Sequence, residues 1–361
     1  MPARAESAGA RRRATTTRAL ERRLEAAWHA RGGVARLLWP LSLLYRGVVA
    51  LRSTLFGLGV LRAERIAVPV VVVGNLIAGG AGKTPAVLAV VAALRRRGWT
   101  PGIVSRGHGR AGGALVEVAA STPAAECGDE PRLLHLRSGA PVMVGRDRPA
   151  AARALLRRHP SVDIVVSDDG LQHLRLARDA QLIVFDERGA GNGWLLPAGP
   201  LREAMAREAP ARSVVLYNAT APSTAWPGSL ARRGLAGASA LADWQAGAAP
   251  SVELLVRLQE RPLLAAAGIA RPGRFFTMLR EQGLQIEELP LPDHYPFATL
   301  PWPAQTRDVI VTEKDAVKLA PRAALGATRV WVATLDFDLT PACMDALARL
   351  LPTPPARREG T

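Results

Sequence analysis

"VVVVGNLIAGGAGKTP", residues 70–85, is the stretch on which the reading of this chain turns. Four consecutive valines suit a strand buried on both faces, and the glycines after them suit a tight loop that hands the chain to a helix. The loop closes in Gly82-Lys83-Thr84, the end of the G-x-x-x-x-G-K-[ST] pattern. In that pattern backbone N–H groups wrap a nucleoside triphosphate, the lysine reaches its terminal phosphates and the threonine hydroxyl binds Mg2+. The pattern's first glycine falls on Ile77, so Gly79, Gly80 and the more distant Gly74 supply the flexibility. The expected cradle is Ile77, Ala78, Gly79, Gly80, Ala81, Gly82, Lys83 and Thr84. The competing reading is a plain glycine-rich turn with no ligand.

The composition favours the cradle. The basic residues are 44 Arg against 3 Lys, namely Lys83, Lys314 and Lys318. A chain that uses Arg almost everywhere has kept Lys in the loop, where a slim ammonium fits between phosphates and a planar guanidinium does not. The 361 residues are 48% hydrophobic, enough for a real core, so global disorder is excluded. A net charge of +16 calls for an anionic partner: nucleic acid, membrane surface or a phosphorylated substrate. Aromatic residues are 5% and scattered, which gives no base-stacking platform, so no nucleic-acid partner is expected. Cys127 and Cys343 form no disulfide framework and show no metal-ligand spacing, as in a reducing compartment.

From residue 68 strands and helices alternate, the pattern of a parallel sheet with helical crossovers. Strands are expected at 68–74, 101–105, 141–144, 162–167, 181–185 and 213–217, with helices at 83–97, 129–138 and 149–158. The chain divides into a basic tail and helix at 1–33, an apolar helical segment at 34–62 and a nucleotide-binding core at 63–220. A boundary region rich in Ala, Gly, Ser and Pro follows at 221–250, then a smaller α/β lobe at 251–352 and a frayed end at 353–361. Leu37 to Leu61 is interrupted only by Arg46 and Arg52. It is too broken for a clear membrane span and too apolar for an ordinary surface helix. It lies in a membrane interface, spans it, or is covered by the rest of the protein; its arginines favour an anionic cytoplasmic leaflet.

Four further stretches carry candidate chemistry. "VDIVVSDDGLQH" (162–173) sets Asp168 and Asp169 at the carboxyl end of a buried strand, where ligands of open α/β sheets sit. A carboxylate there can hold Mg2+ or its waters beside Thr84; a polar turn closing the strand is the alternative. "CGDEPRLLH" (127–135) reads equally well as a helix start, with Asp129 as N-cap and Pro131 in the first turn. "LPDHYPF" (291–297) places His294 among prolines, and a lone histidine is more often structural than catalytic. "VTEKDAVKL" (311–319) loosely matches a guanine-reading [NT]-K-x-D box, but Lys314 and Asp315 are adjacent, and a strand followed by a capped helix explains it as well.

Taken in order, "VGNLIAGGAGKTP", "SRGHGR" (105–110), "GDEP" (128–131), "SDDGLQH" (167–173), "LLPAGPLRE" (195–203), "DHYPF" (293–297) and "TEKDAVKL" (312–319) resemble the tetraacyldisaccharide 4'-kinases, the lipid A kinase family of Gram-negative bacteria. The resemblance spans roughly residues 35–350, and the irregular first glycine of the loop is the family's own form. It implies an α/β fold: a P-loop NTPase-like parallel sheet core, a smaller C-terminal α/β lobe and an N-terminal membrane-associating helix. It implies a peripheral, monotopic enzyme on the cytoplasmic side of the inner membrane that uses ATP and Mg2+. The acceptor would be an acylated disaccharide-1-phosphate lipid, phosphorylated on its 4'-hydroxyl. Carried onto this sequence, Lys83 bridges the terminal phosphates and Thr84 ligates the metal. Asp168, Asp169, Gln172 and Glu203 complete the metal and phosphate shell, and Asp129 with His294 forms an acid–imidazole pair at the acceptor hydroxyl. His108 departs from the family, which more often has Tyr after Ser-Arg-Gly. The rival enzyme class is a membrane-recruited ATPase switch of the partition type, but its signature lysine falls on Ala78. A non-enzymatic lipid- or nucleic-acid-binding protein leaves the loop and the paired acids unexplained.

Overall fold

A computed structural model describes residues 26–110, 112–319 and 325–355. Of the basic tail and helix expected at 1–33, residues 1–25 lie outside the described residues, as do residues 356–361 of the frayed end expected at 353–361.

The apolar segment forms helix α1 (Gly33–Gly57), and the four valines form strand β1 (Val70–Gly74). Strand geometry sends Val71 and Val73 to one hydrophobic core and Val70 and Val72 to another on the opposite face. Each valine, fully removed from water, contributes about 1.5–3 kcal/mol. A strand buried on both faces belongs at the centre of a sheet, and β1 lies there. In chain order there follow α2 (Lys83–Arg96), β2 (Pro101–Ser105), β3 (Val116–Val118), α3 (Asp129–Ser138), β4 (Val142–Val144) and α4 (Arg148–Arg158). Then come β5 (Ile164–Asp168), β6 (Ala180–Asp186), β7 (Ser213–Asn218) and the short β8 (Ser229–Leu230). These strands make an 8-stranded sheet in the order β3-β4-β2-β5-β1-β6-β7-β8. All pairings are parallel except β3 with β4. The order reverses about β1, so the crevice at its carboxyl end opens where the phosphate loop leaves it.

The second sheet has 5 strands in the order β11-β10-β12-β13-β9. Its elements in chain order are β9 (Arg232–Ala240), α5 (Val252–Leu258), β10 (Leu263–Ala267), α6 (Pro272–Glu281), β11 (Ile286–Pro290), β12 (Asp308–Thr312) and β13 (Arg329–Asp338). Strand β9 falls inside the stretch read as a boundary region. Its sequence, RRGLAGASA, has no apolar alternation; the antiparallel ladder to β13 makes it a strand, and β-propensity has little part in it. The last helix, α7 (Pro341–Ala348), also departs from the sequence reading, because it does not stay with the second lobe. Leu339, Cys343, Met344 and Leu347 join the core that contains Val71 and Val73, so this helix packs on the first sheet.

Helix α1 touches the body through a narrow stripe. Ala35 and Ser42 are buried, Leu38, Tyr45 and Val49 are half-buried, and these positions repeat at three- and four-residue steps. The Ser42 hydroxyl donates to Leu195 O at 2.9 Å and the Tyr45 hydroxyl to Arg202 O at 2.9 Å. The rest faces outward, with Leu37 81% exposed, so the covered-helix alternative does not hold. The helix is long and apolar enough to cross a membrane, and 11% of its most apolar 18-residue window is buried.

Candidate active site

The loop after β1 is held from outside by side chains. Four consecutive carbonyls each accept a hydrogen bond: Ala78 O and Gly80 O from Arg188 (3.1 and 3.0 Å), Gly79 O from Asn75 (3.2 Å) and Ala81 O from Asn218 (3.2 Å). Arg188 is itself held by Asp186 at the end of β6. With their carbonyls pulled outward, the N–H groups of Gly79 to Gly82 find no acceptor among the described residues. The first N–H groups of α2 are free of intrahelical partners by construction, so together they form a nest for an anion. Gly82 has φ +86° and an added Cβ would lie 2.2 Å from Asn218 Nδ2, so only glycine serves there. Ile77 sends its side chain into the core, and the N–H of the next residue, Ala78, donates to Pro200 O at 2.8 Å, so Ala78 offers no amide to the cradle. An extended core position needs no glycine, which explains the pattern's irregular start.

Lys83 opens α2 and lies back over the loop, 3.2 Å from Asn75 Oδ1 and 3.6 Å from Asp169 Oδ1. Thr84 beside it is 2% exposed. Asp168 ends β5 and is 3% exposed; its carboxylate accepts from Ser105 Oγ at 2.9 Å. Burial, reinforced by the charges of Glu130 and Asp169, pushes its pKa up to about 6. Arg148, buried behind it, donates to the Asp168 carbonyl at 2.9 Å. Burial pulls the pKa of Arg148 down to about 10, so it is still charged at neutral pH.

The neighbouring acid turns the other way. Asp169 has φ +47°, a left-handed conformation that aspartate tolerates at a cost, and it swings the carboxylate to Arg202 (3.1 Å) and Lys83. Arg202 also donates to Gln172 Oε1 at 3.3 Å, and Gln172 Nε2 donates to Glu203 Oε1 at 2.9 Å. Asp169, Gln172 and Glu203 therefore form a hydrogen-bonded chain around Arg202 and Lys83. Among the described residues no group of three or more His, Cys, Asp or Glu is arranged to hold a metal, so the expected five-residue metal shell is not one cage. The hydroxyl of Thr84 and the costly buried carboxylate of Asp168 are the donors that suit Mg2+, which takes hard oxygens and leaves other positions to water and phosphate.

The second sheet supplies the last part. His294 Nδ1 lies 2.8 Å from Asp129 Oδ2. Asp129 is not the N-cap; Gly128 occupies that position, and Asp129, in the first turn of α3, sends its carboxylate across to the imidazole. Burial alone would raise the pKa of Asp129, but the hydrogen bond and charge of His294, with Lys318 and Lys314, hold it below the usual range. The same bond raises that of His294. His294 has φ +56°, and its N–H donates to Gly268 O at 3.1 Å. Gly268 N–H in turn donates to Asp315 Oδ2 at 3.0 Å, and Asp315 is capped by Thr312. Thr312 to Asp315 is thus a capping arrangement that fixes the histidine loop.

Residues 34–352 match the sequence pattern of the family described as tetraacyldisaccharide-1-P 4'-kinase, LpxK. The chain belongs to that family. The tetraacyldisaccharide 4'-kinase of Methylibium petroleiphilum is 58% identical over 345 residues, 94% of this chain and 96% of the relative. That of Leptothrix cholodnii is 58% identical over 336 residues, covering 92% and 97%. A crystal structure of LpxK from Aquifex aeolicus, in complex with ATP, superposes with a TM-score of 0.71 over 88% of this chain and 99% of that one; at 24% identity the likeness is one of fold.

Several residues of this family member's site were not legible from its sequence. Asn75, Arg188 and Asn218 shape the loop from three separate strand ends, and Ser105 and Arg148 hold Asp168. Glu130, passed over as part of a helix start, meets Lys314 from the second sheet. The signals for Lys314 were its rarity in an arginine-rich chain and its place in the motif TEKDAVKL, neither of which pointed to Glu130. His108 lies with its ring 6.2 Å from that of His294, which places the family departure beside the acid–imidazole pair.

Proposed function

We propose that this chain transfers the γ-phosphate of ATP to the 4'-hydroxyl of a tetraacyldisaccharide 1-phosphate, a step of lipid A biosynthesis, at the cytoplasmic face of the bacterial inner membrane. The first sheet with α7 is the nucleotide lobe and the second sheet the acceptor lobe. The observation that carries the reading is the juxtaposition of the nest at Gly79–Gly82 with a carboxylate–imidazole pair built from both sheets.

Phosphoryl transfer needs in-line positioning and neutralised charge more than covalent help. The loop N–H groups and Lys83 receive the β- and γ-phosphates, and Asp169 with Asn75 keeps the lysine aimed along the loop. Thr84 and Asp168 would hold Mg2+, which supplies further neutralisation of the phosphate oxygens. Asp129 holds His294 by Nδ1, and the pair takes the proton of the attacking hydroxyl. Arg202, whose carbonyl accepts from Tyr45 of α1, brings this chemistry to the helix whose leucines face outward. An acylated acceptor cannot leave the bilayer without exposing its chains, so α1 seats the site at the headgroup plane.

The test is transfer of γ-labelled phosphate from Mg-ATP to a tetraacyl disaccharide 1-phosphate in mixed micelles. Label moves to lipid with the wild type and falls by about 10² or more with Lys83→Ala and His294→Ala. Release of free phosphate with no labelled lipid would replace the kinase by an ATPase switch.

A further inference from the structure

A second imidazole stands beside the acid–imidazole pair. His108, in the loop after β2, has its ring centroid 6.2 Å from that of His294, with the two rings tilted by 53°. Glycines hold this loop in place. Gly107 has φ +69° and Gly109 φ +78°, left-handed conformations that turn the chain on both sides of the histidine. A Cβ on Gly107 would lie 2.8 Å from Cys127 O, and one on Gly128 would lie 3.3 Å from Gly107 Cα. The loop therefore packs backbone to backbone against Gly128, the residue before Asp129. His108 and Asp129 are fixed to each other within the nucleotide lobe, and His294 meets both from the acceptor lobe.

The sheet puts His108 at the reacting end of the site. Strand β5 lies between β1 and β2, so the end of β2 is beyond Asp168 as seen from the phosphate loop. Ser105, three residues before His108, is bonded to Asp168 at 2.9 Å. Each imidazole keeps a nitrogen unused. His294 uses Nδ1 for Asp129 at 2.8 Å, while its Nε2 has no hydrogen bond among the described residues, Asp293 Oδ1 being out of reach at 3.9 Å. His108 makes no side-chain hydrogen bond among the described residues. Both rings reach solvent. One oxygen hydrogen-bonded to two nitrogens, at about 2.9 Å from each, fits between rings at this separation.

We infer that His108 is a catalytic residue that aims the acceptor hydroxyl. The inference rests on the kinase reading above. A sugar hydroxyl carries one O–H and two lone pairs. The O–H donates to His294 Nε2, His108 donates a ring N–H to one lone pair, and the other lone pair is left for the phosphorus. Fixing these directions at one oxygen sets the line of attack that in-line transfer requires. The O–H bond breaks with its proton going to Nε2, and the oxygen bonds to the γ-phosphorus. The bond from that phosphorus to the β–γ bridging oxygen breaks, and its electron pair leaves on ADP. His108 ends the step as it began, still donating to the same oxygen, which is now the ester oxygen of the product. Without that donor the hydroxyl swings about its bond to His294, and water competes for the γ-phosphate.

The test follows label transfer and free-phosphate release together, in mixed micelles with the full chain, for the wild type, His108→Phe and His108→Gln. Both substitutions change an exposed side chain; phenylalanine keeps a flat ring without a donor, and glutamine keeps an N–H donor. His108→Phe is expected to lower kcat for transfer by about tenfold or more, to leave KM for Mg-ATP unchanged and to raise the share of ATP lost to water. His108→Gln recovers most of the transfer. A His108→Phe enzyme with wild-type kcat and coupling overturns the assignment, and so does a loss confined to KM for the lipid. A glutamine variant no better than phenylalanine also overturns it, because the ring's bulk would then be all that matters. A wild type that transfers no label at all sinks the kinase reading and this assignment with it, so the wild type tells the two failures apart.

Discussion

Lys314, on the one-turn helix Glu313–Ala316 after β12, places its Nζ 2.5 Å from Oε1 of Glu130 in the first turn of α3. The pair joins the two sheets directly beside Asp129 and His294. Burial alone would lower the pKa of Lys314, but Glu130 more than offsets it and pushes it up to about 12. Lys314 in turn, against burial, holds Glu130 below the usual range, with Lys83 adding to the effect. Removing the lysine leaves a half-buried carboxylate facing Asp129 and Asp168. Lys314→Ala is expected to cost about 1–3 kcal/mol in urea unfolding and to lower kcat more than it raises KM. Adding Glu130→Gln to Lys314→Ala should recover part of the stability, giving a non-zero coupling in the double-mutant cycle; strict additivity would show that the pair does nothing as a pair.

Asp168 should carry a trade of stability for function. Its folded pKa of about 6 exceeds its ordinary 3.8, so the folded state binds that proton more tightly than the unfolded one. The sign follows: this group favours folding at low pH, and the advantage is lost as pH rises from about 4 to about 6. At neutral pH the ligand-free protein therefore bears a cost on the order of 2–3 kcal/mol. Asp168→Asn, which keeps an acceptor for Ser105, is expected to raise the melting temperature in EDTA and to reduce transfer by about 10² or more. Mg2+ with ATP should raise the melting temperature of the wild type more than that of the variant. Wild-type activity should fall below about pH 6, and an Asp168→Asn protein that melts no higher than wild type would remove the argument.

The Asp129–His294 bond predicts a titration. His294 has its folded pKa raised, so its contribution to stability is complete below its ordinary value of 6.5 and is lost as pH rises through the folded one. Asp129 has its folded pKa lowered, so its contribution is present above its ordinary value of 3.8 and is lost as pH falls through the folded one. In Asp129→Asn the His294 ring proton, followed by NMR, should titrate at lower pH than in wild type, with kcat down by roughly 10²–10³. An unchanged titration would mean that the bond is not made in solution.

Lys83→Arg tests whether the loop needs a lysine or only a cation. The ammonium lies between Asn75 and Asp169 at 3.2 and 3.6 Å, a space shaped for a point charge. Transfer should fall by about 10² or more although the charge is kept. Near-wild-type turnover by the arginine variant would turn the rarity of lysine here into an accident of composition.

The sequence by itself determined what depends on neighbours along the chain. Four valines before a glycine loop made β1 central and buried on both faces, and the alternation of apolar runs placed α2, β2, α3, β5, β6 and β7 within a few residues of where they lie. It also marked the carboxyl ends of β1 and β5 as the places where Lys83 and Asp168 were expected to meet a ligand, because a parallel sheet gathers such ends at one edge, whereas Asp129 and His294 were singled out only by the family resemblance. Only the tertiary structure decided matters of approach between distant segments. It made β9 a strand by pairing an unremarkable segment with β13, and it returned α7 to the first sheet because its apolar face fits the core around Val71 and Val73. It turned Asp169 away from Asp168 through a left-handed backbone and occupied it with Arg202, so two adjacent letters took different tasks. It joined Lys314 to Glu130 across 184 residues, a contact with no local signature, since a charge pair between sheets depends on three-dimensional distance and leaves no period in the sequence.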